Sequence, residues 1–184
     1  GANGYLGSCL SNFLANKNYI YKLTRYPKKK NKNEFLFNLK NSVPINFFKQ
    51  NKISVLIHCA HDFKETLYKK SYEVNVLPSR QLFKNASTAG VKKIIFISSM
   101  ASHYKNNSVY SRIKRDIEKI TIKCDGIIIK PSLIVGAKPG GIFKTINNII
   151  KKFYLIPLVS SNNQTLYTVN DLELCKVIKR MIFY

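Results

Sequence analysis

Acidic side chains are scarce in this chain: nine Asp and Glu stand against 31 Lys and Arg, a formal charge of +22 over 184 residues. Such an imbalance points toward polyanionic partners, whether nucleic acid, an anionic membrane or phosphorylated ligands. A plainer source stays open beside it. The excess is nearly all lysine and comes with abundant Asn and Ile, as AT-rich coding sequence gives, and the lysines are scattered apart from Lys28, Lys29 and Lys30. Clustered cysteine is lacking as well. Cys9, Cys59, Cys124 and Cys175 form no Cys-x-x-Cys or Cys/His group. Neither a zinc site nor a disulfide framework is indicated, which fits a reducing, cytoplasmic compartment. No apolar run approaches the ~20 residues that a membrane-spanning helix needs, and no signal peptide is visible, so no membrane partner is expected. Repeats and long linkers are missing too. What remains is a globular composition, 45% hydrophobic, with length for one domain and a real core but not for two comfortable ones.

Short β-branched or aromatic runs alternate with longer helical stretches. Residues 5–17 place Leu6, Leu10, Phe13 and Leu14 at helical spacing. YIYKLT (19–24) and FLFNL (35–39) read as strands, and ISVLIHCA (53–60) is a continuous apolar run of the kind buried on both faces of a parallel sheet. A helix is expected over 64–89 with Pro78 as a break or kink, then a strand at 92–99, a helix in SRIKRDIEKI and a strand over 125–135. A helix around 142–153 and a short strand with a last helix over 166–182 complete the pattern. This order predicts an α/β fold, a doubly wound parallel sheet of the Rossmann type. Ligands in such sheets sit beyond the carboxyl ends of the strands, where HCAH, SSM and KPS fall here.

GANGYLG opens the chain with Gly1, Gly4 and Gly7. In a dinucleotide-binding turn the first glycine makes the tight turn, the second admits the pyrophosphate and the third packs helix on strand. The amides from Tyr5 onward then face the phosphate with the helix dipole behind them. Such a turn needs an incoming strand, the central one of the sheet. The expectation is therefore a chain whose first strand lies upstream and whose last helix is cut short.

YSRIK places Tyr110 and Lys114 four residues apart, on one helix face. An ammonium beside a phenol favours the phenolate and lowers its pKa toward a working value. Ser98 and Ser99 end the preceding strand, where a hydroxyl could bind the same substrate oxygen.

GANGYLG, LIHCA, YEVNVLPSRQLFKNASTAGVKKIIFISSMAS, YSRIK, KPSLIVG and YTVNDL occur in an order and spacing that resembles the extended short-chain dehydrogenase/reductase superfamily. The likeness is to its NAD-dependent epimerase/dehydratase branch. It implies Ser99 polarising the substrate oxygen, Tyr110 as general acid/base, and Lys114 binding the nicotinamide ribose and tuning Tyr110. It implies a cofactor site from Gly1, Asn3, Gly4, Tyr5, Leu6, Gly7, Thr24, Arg25, Asn38, Leu39, Cys59, Ala60, His61, Asn75, Tyr110, Lys114 and Pro131, with His61 positional. For Asn75 a helix cap or a buried polar contact is the alternative. It also implies one NAD(P)-binding domain over 1–184, with a truncated substrate-binding part starting at about 137, a nucleotide-sugar substrate and room for a homodimer. Metal ligands are not expected.

An acid at the end of the second strand suits the ribose 2′-hydroxyl of NAD, whereas arginine suits the 2′-phosphate of NADP. Here Thr24 and Arg25 end that strand with no acid, Lys28 to Lys30 follow, and Asn38 replaces an adenine-side aspartate, so NADP is favoured over NAD. Leu133 stands where many sugar-nucleotide epimerases carry a substrate-touching asparagine. The stretches around KPSLIVG and YTVND also resemble atypical members that bind nucleotide without turnover. That leaves a second reading, a non-catalytic assembly or RNA-binding protein using the basic charge. A third is a membrane-surface protein using the basic stretch 143–158, a segment that equally suits a packed helix.

Overall fold

The computed structural model describes residues 1–16, 18–27, 33–37, 42–103, 107–136, 141–154 and 167–183, with backbone alone at 141–145. The chain alternates as its periodicity predicts: α1 (Tyr5–Leu14), β1 (Lys22–Thr24), β2 (Glu34–Leu36), α2 (Ile45–Gln50) and β3 (Val55–His58). A long composite helix follows, made of α3 (Tyr68–Ser71), a π turn (Tyr72–Val76) and α4 (Leu77–Thr88). Then come β4 (Lys93–Ile97), a 3₁₀ turn (Met100–Ser102), α5 (Val109–Lys123), β5 (Ile127–Ile129), β6 (Leu133–Val135), α6 (Gly141–Phe153), β7 (Thr168–Asn170) and α7 (Asp171–Phe183).

All the strand pairs described are parallel. Among the described residues they fall into β1–β2, β3–β4–β5 and β6–β7 rather than one continuous sheet. In the central unit Leu56 pairs with Ile94, and Phe96 with Ile128. The helices cover both faces, and β4 shows how. Ile94 and Phe96 join one core with Phe83 of α4 and Ile113 and Ile117 of α5. Ile95 and Ile97 join the opposite core with Leu6, Leu10 and Leu14 of α1 and Leu174 and Ile178 of α7. An unbroken apolar run is what a strand buried on both sides requires.

The edges of β1 and β3 face a cavity of about 570 Å³ lined by Leu10, Leu14, Leu23, Phe48 and Leu56.

Three local expectations change. The single strand read over 125–135 is two strands in different sheets, β5 and β6. The break contains Pro131, which has no amide to give a ladder. The helix read from 64 begins at Tyr68 and does not stop at Pro78. The turn just before the proline widens instead, so that the Leu77 amide reaches the Tyr72 carbonyl five residues back. Pro78 could donate no α-helical hydrogen bond to Val74 in any case. Helix α2 was not anticipated; its Phe48 is the anchor, 2% exposed. Asn38, Leu39 and the Lys28 to Lys30 run lie outside the described residues.

The two faces of α5 give a direct check. Replacing fully buried Ile117 by alanine should cost about 2–5 kcal/mol of unfolding free energy in urea titrations. Ile122→Ala on the exposed face should stay within about 0.5 kcal/mol. Equal effects would show that α5 does not pack as described.

Candidate functional site

The glycine turn precedes α1 directly: Gly4 is its N-cap, in extended conformation and without a side-chain cap, and Tyr5 is its first residue. Leu6 and Leu10 hold the helix on its core, so the free amides of its first turn lie where the chain comes off the turn. A Cβ on Gly1 would come 2.6 Å from the Ala60 amide, and one on Gly7 would strike the Gly1 carbonyl. The turn therefore lies flush against the residues that follow β3. Asn3 Nδ2 donates to Thr24 Oγ1 at 2.7 Å, tying the turn to the end of β1.

A cleft of about 1430 Å³ opens at the carboxyl ends of the strands. It is lined by the glycine turn, by Thr24 and Arg25, by Cys59, Ala60, His61 and Asp62, by Ser99, Tyr110 and Lys114, and by Pro131. Among the described residues, the cofactor and catalytic positions read from the sequence thus share one cavity, Asn75 excepted.

At one end Ser99 and Tyr110 line the cleft together. Burial pushes the Tyr110 pKa above its ordinary value, and Ser99 pulls it partly back. The expected lowering by Lys114 is not what the structure shows. The Lys114 ammonium lies 5.7 Å from the Tyr110 ring centre and donates to the Ile97 carbonyl at 2.9 Å. Desolvation pushes Lys114 itself down to about 8, with Cys59 and Glu118 opposing the drop. His61 stands edge-on to Tyr110 at 4.9 Å between ring centres, and Phe63 stacks on the same ring at 5.6 Å. Burial pushes the His61 pKa down to about 4, so the imidazole is neutral near pH 7, and its buried Nδ1 has no hydrogen-bond partner. Cys59 is pushed up to about 11 by burial and carries no thiolate at that pH.

Behind Ser99 a carboxylate gathers the wall. Glu118, one turn beyond Lys114 on α5, accepts hydrogen bonds from the Ser98 hydroxyl and from Ser102 Oγ at 2.6 Å, and pairs with Lys130 at 2.7 Å. Burial alone would raise its pKa; the bonds from Lys130, Ser102 and Ser98 outweigh that and hold it below the usual value. At the other side Tyr5 donates its hydroxyl to Asp171 at 2.8 Å, fastening the start of α1 to the start of α7.

Asn75 does not line the cleft. Its amide, 1% exposed, accepts from the Asp62 N–H at 2.7 Å and donates to the Asp62 carbonyl at 3.1 Å and to the Ser71 carbonyl at 3.2 Å. Arg25, read as suiting the 2′-phosphate of NADP, faces Asp62 at 3.5 Å. Asp62, Phe63, Glu118 and Asp171 are the residues the sequence reading missed. Glu118 was within reach, since it continues the helical face of Tyr110 and Lys114. Asp62 was not, because no spacing connects it to Arg25.

These features fit a dinucleotide: the close backbone approach at Gly1, the uncapped helix start, and the orphaned His61 nitrogen. Gly1, Gly4 and the first amides of α1 would hold its pyrophosphate, and Lys114 and Tyr110 its nicotinamide end.

A family model described as NAD dependent epimerase/dehydratase family matches residues 1–164, and the chain belongs to that family. No curated protein matches it. Solved structures share the fold. MoeE5 in complex with UDP-glucose and NAD superposes with a TM-score of 0.78 at 17% identity, over 97% of this chain and 69% of that one. TunA, an NAD-dependent NDP-hexosamine 5,6-dehydratase of tunicamycin biosynthesis, gives 0.80 at 12% identity over 98% and 69%. The Thermus thermophilus UDP-glucose 4-epimerase complex with NAD gives 0.77 at 15% identity over 100% and 73%. Among the described residues, no helix is long and apolar enough to cross a membrane.

Lys114 makes the electrostatics testable without ligand. Its folded pKa of about 8 lies below its ordinary 10.5, so the unfolded chain binds more protons between those values. Stability should therefore rise with pH across that window. In denaturant titrations Lys114→Met should abolish this rise relative to the unaltered protein; parallel pH profiles would show that the ammonium is not desolvated.

Proposed function

We propose that this epimerase/dehydratase family member binds NAD or NADP and acts on a nucleotide sugar, or a related hydroxyl or carbonyl compound, by hydride transfer. The reading rests above all on Ser99, Tyr110 and Lys114 lining the same cleft as the glycine turn. A substrate oxygen between the two hydroxyls would accept from Ser99 and exchange its proton with Tyr110 Oη. The raised phenol pKa keeps Tyr110 protonated at neutral pH, which suits it to give a proton to a developing alkoxide. In the opposite direction a base is needed, and the Lys114 ammonium can supply its field once it turns from Ile97 toward the phenol. Hydride acceptance and donation come from the nicotinamide when it is bound. Phe63, His61 and Met100 line that end of the cleft. Residues from about 137 would begin the substrate-binding part. The NAD and UDP-glucose held by MoeE5 support the choice of ligand class.

A second reading, nucleotide binding without turnover, draws on one observation: the Lys114 ammonium is spent on the Ile97 carbonyl and not on Tyr110.

Screening nucleotide sugars with both cofactors separates the two. With a substrate in hand, Tyr110→Phe keeps the ring and removes the exchangeable proton. Turnover should fall about 10²–10⁴-fold, the usual worth of a positioned acid/base, while cofactor affinity stays nearly unchanged. Unaltered turnover in that variant would remove Tyr110 from the chemistry and leave the non-catalytic reading standing.

A further inference from the structure

The adenosine end of the cleft carries a charge arrangement that the linear sequence hides. Arg25 follows β1 and extends a half-exposed guanidinium across the cleft mouth, where its Nη1 meets Asp62 Oδ2 at 3.5 Å. Asp62 comes from the loop after β3, on the opposite wall. Its position is set on every side. Oδ1 accepts the Lys64 amide at 2.9 Å, the backbone N–H donates to Asn75 Oδ1, and the backbone carbonyl accepts from Asn75 Nδ2. Asn75 is itself locked in the π turn. One contact to the carboxylate and two to the backbone hold Asp62 beside Arg25.

An exposed ion pair of this kind contributes at most about 1 kcal/mol to folding. Its effect on a ligand is larger. A monoester phosphate carries roughly −1.5 to −2 charge at pH 7. Arriving at Arg25, it would meet a guanidinium already engaged and a second negative charge alongside, and like charges at such range repel. An unphosphorylated ribose brings hydroxyls instead, which a carboxylate accepts. The neighbouring lining residues Lys64 and Glu65 carry opposite signs and cancel to first order.

We propose that the Arg25–Asp62 pair is the selectivity element of the cleft, and that it sets the preference to NAD over NADP. Asp62 supplies, from the loop after β3, the acid that the end of β1 lacks. The proposal rests on reading the cleft as a dinucleotide site, and it reverses the preference that Arg25 alone suggests.

Calorimetric titration of the purified full chain with NAD and with NADP tests it without any substrate. The unaltered protein should bind NAD more tightly. Asp62→Asn keeps an oxygen for the Lys64 amide and removes the charge; NADP should then tighten about tenfold relative to NAD. Asp62→Ser provides the same readout should the Asn variant misfold. Adding Arg25→Ala to either variant should erase the gain. An unaltered preference for NADP, or a ratio that ignores the charge of Asp62, overturns the proposal while leaving the dinucleotide site intact. Binding of neither cofactor by any variant overturns both.

Discussion

The geometry of the catalytic end depends on one buried carboxylate. Glu118 receives Ser98 from the end of β4, Ser102 from the turn that follows, and Lys130 from the end of β5, all from its seat on α5. Backbone bonds join the same segments, from the Ser98 N–H to the Ile129 carbonyl at 2.8 Å and from the Met100 N–H to the Pro131 carbonyl at 2.9 Å, and Glu118 ties them to α5. Removing Lys130 would leave a mostly buried carboxylate without its nearest cation. The neutral alternative, an apolar plug, would pack as well but would not fix the hydroxyl-bearing turn. Ser99 is held directly by Ser102, whose hydroxyl donates to its carbonyl at 2.7 Å, and through Ser102 by a carboxylate outside the cleft lining.

The scarcity of acids acquires a meaning from this. Three of the nine each join two elements that carry cleft residues: Glu118 with Lys130, Asp62 with Arg25, and Asp171 with Tyr5. Among the described residues, ion pairs also engage Asp116 with Lys119 and Glu173 with Lys176, each within one helix. The partners of Glu118, Asp62 and Asp171 come from other segments, as Tyr68 does for Asp116, so the pairs fix spatial relations that the sheet alone leaves loose. The division of the described strands into separate sheets makes such fasteners more consequential.

The layered architecture was legible because two simple periodicities carry it. The unbroken run of β4 and the spacing of Leu6, Leu10 and Leu14 announce burial on both sheet faces and on one helix face. The catalytic set was legible for a similar reason: Tyr110 and Lys114 are a helical pair, and Ser99 ends a strand. What escaped were relations across the fold. Arg25 and Asp62 lie 37 residues apart with no pattern linking them. The direction taken by Lys114 toward Ile97, and not toward Tyr110, depends on desolvation and an available carbonyl that no spacing records. The strand break at Lys130–Pro131 could have been read from proline chemistry alone, and the apolar run around it concealed the signal.

The π turn over Tyr72–Val76 works as a phase shifter. Widening one turn accommodates a residue beyond the α-helical count, which rotates everything after it by about 100° relative to what precedes. Before the shift, Tyr68 faces α5, donating to Asp116 at 2.7 Å under the Arg112 guanidinium. After it, Ser79 meets His58 of β3 at 2.9 Å and Asn85 reaches the Val43 carbonyl at 2.7 Å. One rod-like segment can in this way address two differently oriented neighbours without a bend. Chain length within these five residues is accordingly less free than in any nearby loop: deleting one would re-index the entire helix, not merely shorten it.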